Sequence, residues 1–264
     1  MNIINCTFEN NTANKRGGAV YSTGNTYIEN TLFANNNVTN AYNVGEGGAV
    51  WLNTKSTITN CTFNDNYAYK YGGAVYATGA NTIIGKSIFK NNSVEYNDTF
   101  KCGGAIHITG QNDVIENCTF IDNLAYSHGG AVYSSGRNLK VNNCNFTNNT
   151  ARRIGSSPFI PDNGGSGMFI DGAYSNVTNC IFDNNNAWVY SIGTSGSLGI
   201  GDGANNVIVD NCNFTNNTAY WCGAIVWLGS NGILNNSNFI DNSIKSTSYC
   251  EGGAVFFFNP KFHS

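Results

Sequence analysis

Residues 5–21 read NCTFENNTANKRGGAVY, and the pattern returns as NCTFNDNYAYKYGGAVY at 60–76 and as NCTFIDNLAYSHGGAVY at 117–133. Internal repeats of this kind decide a fold before any local propensity is weighed. Anchored on the phenylalanine, the series runs Phe8, Phe33, Phe63, Phe89, Phe120, Phe146, Phe182, Phe214 and Phe239, with spacings of 25, 30, 26, 31, 26, 36, 32 and 25 residues. Three residues after every one stands an asparagine: Asn11, Asn36, Asn66, Asn92, Asn123, Asn149, Asn185, Asn217 and Asn242. Two residues before it stands a small side chain, Cys at 6, 61, 118, 144, 180 and 212, Thr31, Ser87 or Ser237. Three residues earlier again comes an aliphatic, from Ile28 and Ile58 to Val209 and Leu234.

Each unit breaks into three short strand-like pieces, exemplified by GGAVY, NTYIEN and CTFENN. All are too short for helices, and each alternates with a period of two. The pattern predicts an all-β fold, a single-stranded parallel β-helix of about nine coils, with coils about 4.8 Å apart and a rod roughly 43 Å long. Stacked phenylalanines fill the interior. The Phe+3 asparagine is expected to turn the chain and to bond its equivalents in adjacent coils. The glycine pair supplies a positive φ and a close backbone approach at a corner. The whole of 1–264 reads as one repeat domain, with longer, irregular coils over 152–206. Residues 1–13 end a coil and residues 251–264 begin one, so the chain reads as an interior piece of a longer solenoid.

The pairing of GGAV or GGAI with F-x-x-N-x-A, at residues 8–13, 63–68, 120–125, 146–151 and 214–219, resembles the polymorphic outer-membrane protein repeat of chlamydial surface proteins. It is also similar to Asn/Thr-rich adhesin-like proteins of methanogens, which carry right-handed β-helix domains. That resemblance implies a right-handed coil and an extracellular, surface-displayed structural or adhesive role, with carbohydrate or a host or neighbouring cell surface as partner.

Composition narrows the rest. Only 11% of residues are charged and the net charge is −3, which leaves no basic patch for nucleic acid. No stretch approaches eighteen apolar residues, so no membrane-spanning helix is expected, and MNIINCTF lacks the plan of a signal peptide. No CxxC or CxxH spacing occurs, so neither a metal nor a cofactor is expected. GIGDGA at 199–204 has no following helix to make a phosphate loop. The six repeat cysteines read as small buried residues, whereas Cys102, Cys222 and Cys250, at the glycine corner, are expected to be more exposed.

Two candidate sites remain. The residue after GGAV or GGAI is Tyr21, Trp51, Tyr76, His107 and Tyr133, with Phe169 and Phe256 in looser alignment. If the preceding aliphatic faces inward, these rings form an outward stripe suited to stacking sugars or a partner; a covering loop is the plainer alternative. The second is Asp162, Asp171 and Asp202, with Arg152 and Arg153 expected in the same extended loops. Paired carboxylates there would serve as acid and base in a polysaccharide lyase or glycoside hydrolase. His107, His128 and His263 are scattered in sequence and suggest no catalytic set. Thirteen N-x-S/T sequons, among them Asn10, Asn37, Asn91, Asn97, Asn148 and Asn216, mark acceptable glycosylation positions on an exported chain.

Overall fold

A computed structural model describes residues 1–39, 44–94, 102–153, 164–189, 196–220, 222–245 and 252–257. Among them the chain forms four parallel sheets of nine strands, each strand paired with its equivalent in the next coil. The first sheet carries the aliphatic column (Thr26–Glu29, Ser56–Thr59), the second the phenylalanines (Thr7–Glu9, Thr62–Asn64), and the fourth the strands after the glycines (Val50–Leu52, Val75–Ala77). The third is the one the repeat did not announce. Its strands, such as Thr12–Ala13 and Tyr67–Ala68, are mostly two residues long and follow the Phe+3 asparagine. No helix occurs among the described residues, hence none long and apolar enough to cross a membrane.

The register keeps like above like. Phe63 pairs with Phe33 on one side and Phe89 on the other, and the column continues to Phe239. Consecutive rings lie 4.7–5.0 Å apart, within 12° of parallel. Stacked equivalents cannot choose an edge-to-face arrangement, because the coil rise already brings them to ring-stacking distance. The aliphatics pair likewise, Ile58 with Ile28 and Ile84.

The Phe+3 asparagines form a buried ladder. The Asn92 backbone N–H and its Nδ2 both donate to Asn123 Oδ1, at 3.0 and 3.1 Å, and Nδ2 also donates to the Phe63 carbonyl at 3.0 Å. This satisfies a corner that has left the strand ladder and is shut off from water. The expectation that this residue itself turns the chain is corrected. The left-handed position is the residue before it, with φ of 52° at Asn91, 55° at Asp122 and 56° at Asn148. A buried amide with every bond committed can sit in ordinary backbone, while its exposed neighbour, Asn or Asp, takes the strained φ. A second left-handed position precedes the Cys column (Asn60, Lys86, Asn117), and a third precedes the first-sheet strand (Asn81, Asn112, Tyr174).

That column interchanges Cys, Ser and Thr for a physical reason. Cys61 Sγ, Ser87 Oγ and Thr31 Oγ1 each donate to the carbonyl two residues earlier, at 3.1, 2.7 and 2.8 Å. The cysteines among the described residues are free thiols. Within 152–206, the described strands keep the same four-sheet register. Arg152 and Arg153 belong to one of them, Thr150–Arg153, paired with Asn186–Val189, and so lie in a sheet instead of an extended loop.

Candidate binding face

The fourth sheet begins at the glycine pair, whose members do different work. Gly47 and Gly72 hold φ of 65° and 61°, a conformation that costs other residues about 1–2 kcal/mol. Gly48 and Gly73 are needed for space: a Cβ there would lie 1.9 and 2.0 Å from the carbonyl oxygens of Gly73 and Gly104 in the next coil. Past this corner the chain runs Ala-Val, with Ala49, Val50, Ala74 and Val75 wholly buried, which points the following residue outward.

The outward column is therefore Tyr21, Trp51, Tyr76, His107, Tyr133 and Phe169, in one register. It is not an open stripe. Trp51, His107 and Phe169 are only 5–6% exposed, Tyr76 and Tyr133 are half-buried, and Tyr21 alone among the six stands clear at 54%. Phe256 is half-buried further along. A second column roofs the first. Arg16, Glu46, Tyr71, Cys102 and His128, each one residue before a glycine pair, bridge from coil to coil. Tyr71 stacks on Tyr76 at 5.9 Å and packs on His107 at 4.6 Å, and His128 meets Phe169 edge-on at 4.8 Å. Burial under this roof pushes the Tyr76 phenol up to about 12 and the His107 imidazole down to about 3.

The roof also overturns the expected exposure of the corner cysteines. Cys102 and Cys222 are buried, and Cys250 lies outside the described residues. His107 and His128, scattered in sequence, come together around Cys102: His128 Nδ1 lies 3.6 Å from its Sγ and His107 Nδ1 lies 3.4 Å from its carbonyl oxygen. Ser127 Oγ is 2.7 Å from His128 Nδ1. His263 lies outside the described residues. The sequence signal for the roof lies at the position before each GG, but its members share no chemistry and so do not read as a column.

At the first coil the roof gives way to a polar frame. Tyr21 stacks on Trp51 at 4.7 Å and 18°. Arg16 lies over the Trp51 ring at 5.1 Å and its Nε donates to Glu46 Oε2 at 2.8 Å. Trp51 Nε1 donates to the same Glu46 oxygen at 2.9 Å. The result is an exposed Tyr21 ring stacked on a tryptophan that a guanidinium and a carboxylate hold in place.

The carboxylate set divides. Asp162 lies outside the described residues. Asp171 follows the strand Met168–Ile170 and aligns with Gly201, one residue before Asp202. Burial, then the charge of Asp202, raises the Asp171 carboxyl, while a bond from the Gly203 backbone opposes that shift. Among the described residues no group of three or more His, Cys, Asp or Glu side chains is placed to hold a metal ion.

Parallel strands in four sheets around one packed interior, with every side chain over its own equivalent, define a parallel β-helix. The chain matches the family described as right handed beta helix region over residues 1–158 and 104–264, and it belongs to that family. It is 42% identical over 84 residues to the probable autotransporter YfaL of Escherichia coli (strain K12), an alignment covering 28% of this chain and 7% of that protein. Among solved structures it is similar to the periplasmic alginate epimerase AlgG, at 13% identity and a TM-score of 0.36, covering 90% of this chain and 70% of the other.

Proposed function

We propose that this protein is an extracellular, surface-displayed β-helix whose coils form a rigid spacer and whose Tyr21–Trp51 platform binds carbohydrate. The observation that carries the reading is the Tyr21–Trp51 stack, with Arg16 lying over the Trp51 ring and Trp51 Nε1 bonded to Glu46. A fixed aromatic face flanked by donors and acceptors suits a sugar ring, which offers an apolar face and a rim of hydroxyls. The likeness to a probable autotransporter supports display outside the cell. Thiol burial is compatible with that setting, since all the described cysteines but Cys6 are buried from oxidants.

A glycan array probed with wild type, Tyr21→Ala and Tyr174→Ala tests the proposal. Tyr174 is 48% exposed and lies outside the platform. Tyr21→Ala is expected to weaken glycan binding about tenfold or more, the worth of one aromatic stack, with Tm unchanged. Tyr174→Ala is expected to bind as wild type does. Equal binding by wild type and Tyr21→Ala overturns the assignment. A second reading, a polysaccharide lyase or hydrolase, is favoured by the raised Asp171 carboxyl beside Asp202. Incubating the array's polysaccharides with wild type and Asp171→Asn separates the two: shortening of the chains by wild type alone marks the enzyme.

A further inference from the structure

The corner between the first and second sheets contains an unbroken run of thiols. Thr119, Asn145, Ile181 and Asn213 pair in register, so Cys118, Cys144, Cys180 and Cys212, each one residue earlier, stand directly over one another. The backbone repeats the alignment, with Asn145, Ile181 and Asn213 donating to the carbonyls of Cys118, Cys144 and Cys180, each at 2.9 Å. All four side chains are 0–1% exposed. Hydroxyls end the run, Ser87 before it and Ser237 after it, so Cys61 has no thiol in either adjacent coil.

Neighbouring equivalents are about 4.8 Å apart. A linear S–metal–S unit with bonds of about 2.3 Å, the length of a zinc thiolate bond, spans about 4.6 Å. The step between coils therefore matches a two-coordinate ion. Because no three ligating groups are placed to hold a metal among the described residues, a four-coordinate zinc site is not what the column offers. Charge narrows the choice further. Two thiolates and a divalent ion form a neutral unit, whereas a monovalent ion would leave an uncompensated charge in a dry core.

We propose that the column binds soft divalent d10 cations in linear dithiolate coordination, one ion between Cys118 and Cys144 and one between Cys180 and Cys212. Each ion displaces two thiol protons, two S–H bonds giving way to two S–metal bonds with no change of oxidation state. The pairing follows from the single file: four thiols in consecutive coils divide into two adjacent pairs only as Cys118 with Cys144 and Cys180 with Cys212. No metal-ligand spacing is legible in the letters because the ligands are separated by whole coils of 26 and 32 residues.

The test titrates the reduced chain anaerobically with mercuric chloride to two equivalents and counts sulfur neighbours by X-ray absorption, alongside proton release. Wild type is expected to show two sulfurs per mercury and two protons per ion. Cys144→Ser/Cys212→Ser removes one ligand from each pair, and serine already occupies this column at 87 and 237. This variant is expected to fall to one sulfur per ion, with affinity lower by at least about a hundredfold, the usual gain from tethering two ligands. Cys61→Ser/Cys222→Ser, which alters thiols outside the run, is expected to match wild type. One sulfur per mercury in wild type, two sulfurs retained in Cys144→Ser/Cys212→Ser, or uptake only after unfolding, each overturns the site.

Discussion

Asp113 and His107 are buried, and their protonation equilibria pull stability in opposite directions. Asp113 is 1% exposed; its Oδ1 accepts the Thr82 N–H at 2.8 Å, while Oδ2 has no partner. Burial pushes its carboxyl up to about 7, against about 3.9 in an unfolded chain. Between those values the folded state holds a proton that the unfolded state has lost, so stability falls as pH rises. His107, pushed down to about 3 from an unfolded value of about 6.5, does the reverse: the unfolded state holds the extra proton, and stability climbs with pH. The two slopes overlap between about pH 4 and 6.5 and offset one another. Asp113→Asn should expose the rising slope and His107→Phe the falling one, each approaching about 1.4 kcal/mol per pH unit. Urea midpoints at pH 4.5, 5.5 and 6.5 read this directly; parallel profiles for the two variants would refute it.

Corners, more than strands, distinguish one coil from the next. Eight of the nine left-handed residues before the Cys column are Asn; the ninth is Lys86, at φ 50°. Lysine gains nothing locally from that conformation, whereas an asparagine also joins its neighbours, as Asn143 Nδ2 does in donating to Asn117 Oδ1 at 2.7 Å. Lys86→Asn is therefore expected to raise stability by about 0.5–1 kcal/mol, seen as a higher Tm in calorimetry. A lower Tm would mean that the Lys86 side chain contributes more than its backbone costs. The same corners mark the limit of what could be read beforehand. The phenylalanine and aliphatic columns were legible because each is a large apolar residue at a constant offset. The third sheet was not, because its strands are mostly two residues long and hidden behind a buried asparagine. Asn at Phe+2 and Asn at Phe+3 look alike in letters, yet one is chosen for its φ and the other for its amide.

Among the described residues the strands pair from each coil to the next, and this governs both the legibility of the face and its response to damage. The outward column could be read from the alternation of Ala-Val-Tyr, but not its burial, because the roof comes from side chains as unlike as Arg16, Tyr71 and His128. Nearest-neighbour coupling also makes injury local. Phe120 is wholly buried between Phe89 at 5.0 Å and Phe146 at 4.8 Å. Phe120→Ala opens a cavity expected to cost about 3–5 kcal/mol, and neither neighbouring ring can close it without leaving its own stack. Amide exchange followed by mass spectrometry should show Phe120→Ala losing protection in the strands Ile88–Lys90, Thr119–Ile121 and Asn145–Thr147, with Leu32–Ala34 and Asn213–Thr215 protected as in wild type. Uniform loss over all five strands would mean that the coils unfold as one cooperative body, and that the stacked columns couple further than a single step.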